Sequence, residues 1–254
     1  MTTLPRTGRP LLAPYITGGI RPDWTEYLHE YVRNGADAIE IGLPFSDPIL
    51  DGPTIQEASD TALRRGVTVR SILDEVAAID AGVPLIAMTY YNLVHRDAAA
   101  FCRDLAAAGI HGLIVPDLPV DESAPLAAAA ASAEVDLTLL VAPTTPAARL
   151  AEIAAASRGF VYAVSTMGTT GSSFAASGGR LATEVRELTA LPVLLAFGIA
   201  THADAVTAAR SADGVVIGAA LMRRILDGCS PAELGAVLAG FRKALDEDGS
   251  DCVP

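Results

Sequence analysis

Basic residues are in short supply: 18 Lys and Arg stand against 30 Asp and Glu, leaving a net charge of −12 on 254 residues. A field of that sign repels nucleic acid and anionic membrane surfaces, so neither is expected as a partner. Aromatic residues make up only 5% of the chain, but 51% is hydrophobic, so Ala, Val, Leu and Ile must fill the core. Cysteine is scarce too. Cys102, Cys229 and Cys252 fit neither a zinc nor a disulfide framework and read as thiols in a reducing cytosol. His29, His95, His111 and His202 are scattered without HxH or HExxH spacing, so no metal is expected. No long apolar run follows the N-terminal charges, which argues against a secretory signal. No stretch reaches the ~20 residues that a transmembrane helix needs. A soluble, cytoplasmic protein is the expectation.

What is present is a regular alternation. Short apolar runs at 11–17, 38–42, 84–89, 112–115, 137–141, 160–164, 192–197 and 214–217 read as strands buried on both faces. Helical stretches lie between them, among them 23–34 and 97–108, stopped by Gly35 and Gly109, and 121–133, opened by Asp-Glu-Ser. Others are read at 201–210 and 231–245, with a polar, frayed tail after Asp246. The length suits one α/β barrel as well as two small domains. Eight βα repeats without a linker favour one closed (β/α)8 TIM barrel over residues 1–254 rather than an open doubly wound sheet. Chemistry in such a barrel sits at the C-terminal ends of the strands.

Glu40 stands inside an apolar strand, in Ile39-Glu40-Ile41-Gly42, with no Lys or Arg nearby in sequence. A carboxylate there is costly unless paired or used, and burial raises its pKa toward that of a general acid/base at neutral pH. The alternative is a buried carboxyl satisfied by backbone amides or a distant arginine. Asp51 follows in the loop after the same strand, where the two carboxylates can converge. Asp51-Gly52-Pro53 is equally turn chemistry.

A second constellation is rich in glycine: Met167-Gly168-Thr169-Thr170-Gly171 after the sixth run, Phe197-Gly198 ending the seventh, and Gly218-Ala219 ending the eighth before a short extra helix. In a negatively charged chain, a phosphate site has to be built locally from backbone N–H groups and a helix N-terminus, and this is where barrels place one. The same glycines also serve merely to turn the chain. Tyr15, Tyr90, Tyr91 and Tyr162 stand near strand ends, where they can line an aromatic pocket or belong to the core. Trp24 reads as core.

Phe45-Ser46-Asp47-Pro48 with Asp51-Gly52-Pro53-Thr54-Ile55-Gln56 resembles the signature of the tryptophan synthase alpha subunit family. Pro14-Tyr15-Ile16-Thr17, Thr89-Tyr90-Tyr91-Asn92, Val115-Pro116-Asp117-Leu118-Pro119 and Gly168-Thr169-Thr170-Gly171 extend the resemblance over nearly the whole chain. It implies a cofactor-free lyase that splits indole-3-glycerol phosphate into indole and glyceraldehyde 3-phosphate. It also implies roles: Glu40 as proton-transfer residue, Asp51 as acceptor of the indole N–H, and Tyr162 as the residue placing the glutamate. Tyr15, Ile55 and Tyr90 would line the indole pocket, and Thr170 would touch Asp51 when its loop closes. Gly171, Phe197, Gly198, Gly218 and Ala219 would bind phosphate. Pro44, Asp47, Pro48 and Asn92 would meet a beta subunit in an alpha2beta2 heterotetramer.

The chain departs from the family pattern at four places. Ala219 replaces a serine, Ala196 a glycine, and Gly18-Gly19-Ile20-Arg21-Pro22 the usual Gly-Asp-Pro of the first loop; the segment before the first strand is short. Two other functions fit the same residues: a free-standing lyase serving secondary metabolism, and a non-catalytic subunit that only activates a beta partner. A phosphosugar isomerase barrel is disfavoured by the segments at 45–48 and 51–56.

Overall fold

The computed structural model describes residues 4, 6, 8–165 and 172–249. Nine strand segments run parallel: β1 (Leu11–Thr17), β2 (Ile39–Gly42), β3 (Leu85–Met88), β4 (Ile110–Ile114), β5 (Asp136–Thr138), β6 (Leu140–Val141), β7 (Val161–Val164), β8 (Val193–Ala196) and β9 (Gly214–Ile217). Their order is β5-β4-β3-β2-β1-β9-β8-β7-β6. The two ends of that order are one run of chain interrupted at Leu139. β5 pairs with β4 and β6 with β7, so the fifth strand expected from sequence is split, and its halves close the ring from opposite sides. The Leu137 carbonyl accepts from Arg158 N–H (2.9 Å) and the Leu139 carbonyl from Tyr162 N–H (3.1 Å), which carries the seam across the break. The result is a TIM barrel.

Alternation along the strands sorts side chains into two cores. Leu11, Ala13, Ile86, Phe160, Leu194 and Val216 fill the interior, and Leu4 plugs it, 2% exposed. The intervening residues, such as Leu12, Ile16, Ile41 and Val215, pack outward against the helices. Trp24 belongs to this outer core: with Tyr27, Leu28 and Tyr31 it forms the buried stripe of the helix Trp24–Arg33. That helix and Ala98–Ala107 each end two residues before the glycine expected to stop them.

At the N-terminal ends of the strands the ties are ionic. Arg242 from the last helix reaches the Pro10 carbonyl (3.0 Å) and Asp37 (3.2 Å), while Asp37 accepts the Leu12 N–H (2.8 Å). Arg6 binds the Leu191 carbonyl (2.9 Å) and pairs with Asp213 (3.3 Å), fastening the short leading segment under the barrel.

Two boundaries differ from the sequence reading. The helix expected from Asp121 starts at Ala124, because Pro125 is tolerated only in a first turn; Asp121 and Glu122 form a separate 3-10 turn. The final helix, Pro231–Gly249, runs past Asp246 into the expected tail. The short extra helix expected after the last strand is Ala219–Leu226. No helix among the described residues is long and apolar enough to cross a membrane.

Candidate active site

All strands being parallel, their C-terminal ends share one rim, and Tyr15, Glu40, Asp51, Tyr90 and Tyr162 lie on or near it. Glu40 is the second residue of β2, in register with Tyr15 of β1 and Ile86 of β3. It is 2% exposed. The Tyr162 hydroxyl of β7 hydrogen-bonds its carboxyl across the barrel interior. Neither an arginine nor a backbone amide acts on it among the described residues, so both alternatives open at the sequence level give way to a tyrosine partner. Burial pushes the Glu40 pKa up to about 8; the Tyr162 hydrogen bond opposes that shift and the charge of Asp51 adds to it. At neutral pH the carboxyl therefore holds its proton.

Asp51 is set by local turn chemistry. Its N–H donates to the Pro48 carbonyl (3.1 Å), Gly52 caps the next helix with Pro53 in its first turn, and the Gln56 side chain donates back to the Asp51 carbonyl (2.8 Å). Asp51 is thus a turn residue, and its carboxylate is also held from the barrel: the Tyr90 hydroxyl donates to Oδ2 (3.0 Å) and accepts from the Leu50 N–H (3.0 Å). Burial raises the Asp51 pKa, with the Tyr90 hydrogen bond countering it. Tyr90 stacks on Phe45 with ring centroids 5.3 Å apart. Tyr15 lies over Gly42, where an added Cβ would fall 1.9 Å from its hydroxyl, so only glycine admits the ring; that hydroxyl bonds Thr17 Oγ1 (3.2 Å).

Tyr15, Gly42, Phe45, Asp51 and Tyr90 line one small cavity with Leu43, Pro48, Ser59, Met88, Thr89 and Pro116. Ile55 is not among them; it packs half-buried against the outer core. Thr89 is a lining residue that sequence reasoning missed. It is 2% exposed, and its hydroxyl has no hydrogen-bond partner among the described residues. Such a hydroxyl costs ~1–3 kcal/mol to leave unmade.

The candidate phosphate residues converge from two strand ends. Phe197 (φ 67°) and Gly198 (φ 73°) are consecutive left-handed residues just past β8, a strained backbone for phenylalanine. The Phe197 ring meets Tyr162 edge-on at 6.0 Å, and its carbonyl accepts from the Ser165 hydroxyl (3.1 Å). Gly218 precedes the helix Ala219–Leu226, whose first N–H groups have no side-chain cap, and an added Cβ there would lie 3.6 Å from Tyr15. Ala219 is exposed at that helix start. Thr170 and Gly171 lie outside the described residues. No group of three His, Cys, Asp or Glu among the described residues is arranged to hold a metal ion.

Of the candidate interface residues, Asp47 and Asn92 are exposed and Pro48 is half-exposed, whereas Pro44 is buried beneath them. Ile49 (77% exposed) and Leu50 (39%) extend the same loop as bare apolar surface, and sequence reasoning had not singled them out.

The family model described as tryptophan synthase alpha chain matches residues 1–238. The tryptophan synthase alpha chain of a Picosynechococcus species is 42% identical over 96% of each chain, and that of Laribacter hongkongensis 43% identical over 97% of each. Among solved structures, a Mycobacterium tuberculosis tryptophan synthase chain is similar with a TM-score of 0.86 and 41% identity, covering 94% of this chain and 93% of that one. A Legionella pneumophila tryptophan synthase subunit alpha aligns with a TM-score of 0.86 and 32% identity over the same shares.

Proposed function

The chain belongs to the tryptophan synthase alpha chain family, and we propose that Glu40 and Asp51 divide that family's reaction between them. The enzyme is a carbon–carbon lyase of tryptophan biosynthesis that splits indole-3-glycerol phosphate into indole and glyceraldehyde 3-phosphate. The observation that carries the assignment of roles is the environment of Glu40. It is a buried carboxyl, protonated at neutral pH, held by Tyr162 and within reach of a second carboxylate's charge.

The reaction is a retro-aldol cleavage. Protonated Glu40 delivers its proton to indole C3, giving an indolenine whose nitrogen carries the positive charge. Asp51 accepts the indole N–H and offsets that charge. The resulting Glu40 carboxylate removes the proton from the C3′ hydroxyl; the carbonyl forms, the C3–C3′ bond breaks, and its electron pair restores the aromatic ring. Glu40 ends protonated, ready for the next turnover. Two carboxyls in different surroundings, Glu40 buried in the barrel interior and Asp51 half-buried in the loop after β2, are suited to these separate tasks. Indole release from indole-3-glycerol phosphate by the purified chain tests the reading.

The phosphate end is assigned to the N–H groups at Phe197–Gly198 and Gly218–Ala219, with Gly171 and Thr170, which lie outside the described residues, assigned to it on the family resemblance alone. A helix N-terminus compensates for the chain's negative charge. Ala219→Ser should add one hydroxyl donor and tighten glycerol phosphate binding by severalfold, less than the ~1.5–3 kcal/mol of a full bond to a charged group, because the new bond replaces one that a phosphate oxygen makes to water. Titration calorimetry checks this; weaker binding would mean that position 219 does not face the phosphate.

The partner is a tryptophan synthase beta subunit in an alpha2beta2 assembly, a reading supported by the likeness of this chain to chains of M. tuberculosis tryptophan synthase. The exposed Ile49 and Leu50, beside Asp47 and Pro48 and directly before Asp51, support docking on the loop that carries the catalytic aspartate. A partner seated there restrains Asp51 and shifts the loop population toward the closed state. A beta subunit from the same genome should therefore raise kcat/KM about tenfold or more, equivalent to ~1.4 kcal/mol. A high rate for the isolated chain, unchanged at saturating partner, would instead mark a free-standing lyase. We infer a cytoplasmic location as the one that fits this biosynthetic role.

A further inference from the structure

Thr89 follows β3 directly, and its N–H donates to the Ile114 carbonyl (3.0 Å). Its side chain is a buried hydroxyl without a partner among the described residues, in a position where valine would fill the same volume at no polar cost. The neighbouring hydroxyls of the cavity are engaged: Tyr90 with Asp51, and Tyr15 with Thr17. The cavity has about 20 Å3 of free space, enough for one water-sized group but not for an indole ring, so a ring has to seat over its mouth with a substituent reaching in. An unsubstituted indole cannot satisfy Thr89, because its single polar atom is the N–H that Asp51 accepts.

Resting on the reading of this pocket as the aryl end of the lyase site, we propose that Thr89 hydrogen-bonds a hydroxyl or amino group carried on the benzo ring of the substrate. Ring-hydroxylated and ring-aminated indoles, and their glycerol phosphates, are then a further substrate class. The substituent fills the water-sized space against Thr89, which a bare ring leaves unpaired. Discrimination of this kind is strong where a pocket's buried polar group is left unpaired by the analogue that lacks the substituent.

The test runs the reaction in the direction of condensation, where indole C3 bonds the aldehyde carbon of glyceraldehyde 3-phosphate, C3 loses its proton and the aldehyde oxygen gains one. Indole and the isomeric benzo-ring hydroxyindoles are compared with wild type, Thr89→Val and Thr89→Ser. For at least one isomer, the ratio of its kcat/KM to that of indole should fall about tenfold in Thr89→Val and be kept in Thr89→Ser. Thr89→Val should melt no lower than wild type. Calorimetry on the wild type gives a readout independent of any variant: that isomer should bind about tenfold more tightly than indole. Equal ratios in wild type and Thr89→Val for every isomer, or no isomer binding more tightly than indole, would overturn the proposal. Failure of the wild type to use indole itself would sink the lyase reading, and this proposal with it.

Discussion

Replacing Glu40 with glutamine leaves a folded barrel that releases indole on the order of 10²–10⁴-fold more slowly at saturation. Glutamine keeps the volume and still bonds Tyr162, so packing is spared; what is lost, on the roles proposed for Glu40, is the proton for indole C3 and the base that takes one back. The same variant carries a signature in stability. Glu40 titrates from an ordinary value of 4.5 in the unfolded chain to about 8 in the barrel, because burial disfavours its charge. The folded state thus holds the proton more tightly, so the stability linked to this group is present below the unfolded value and lost as pH rises through about 8. Glu40→Gln should therefore melt higher than wild type at alkaline pH, with the gap closing toward acid. Thermal melts at two pH values check the sign. A variant that is slow and also less stable at alkaline pH would point to a structural carboxyl instead.

Asp51→Asn should lower kcat on the order of 10²–10³-fold with a far smaller change in KM. Asparagine still presents an oxygen to the indole N–H and still accepts from Tyr90, so ground-state binding survives. It carries no charge to set against the cation that develops at nitrogen. A second consequence follows from the coupling of the two carboxyls. The Asp51 charge raises the Glu40 pKa, so removing it should move the alkaline limb of the pH–rate profile to lower pH. Steady-state kinetics across pH measures both effects. A change confined to KM would reduce Asp51 to a binding residue.

Much of this arrangement is legible before any fold is known, for a physical reason. Parallel strands covered on both faces are apolar runs, which locates them to within a residue or two, and a carboxyl amid such a run, as at Glu40, is conspicuous because burying it has to be compensated. Asp51 is legible only as a turn; its hold on Tyr90 joins residues 39 apart in sequence, and no local pattern encodes it. The break at Leu139 is hidden because 137–141 reads as one apolar run, and only barrel closure assigns its halves to different neighbours. Pro125 is the stronger signal at 121–133, since a proline near a helix start fixes that start more firmly than the acidic residues before it. The left-handed backbone of Phe197 and the orphaned hydroxyl of Thr89 are properties of the assembled barrel, and neither residue type announces them.

The proposed role of a buried, protonated Glu40 in cleaving indole-3-glycerol phosphate is open to one decisive experiment: kcat/KM for indole release by the purified chain, from about pH 6 to about pH 10. Indole is the expected product, with a rate that falls as pH rises through about 8, where the folded Glu40 loses its proton, and no such limb is expected in Glu40→Gln. Absence of indole, or an alkaline limb that persists unchanged in Glu40→Gln, would contradict that role.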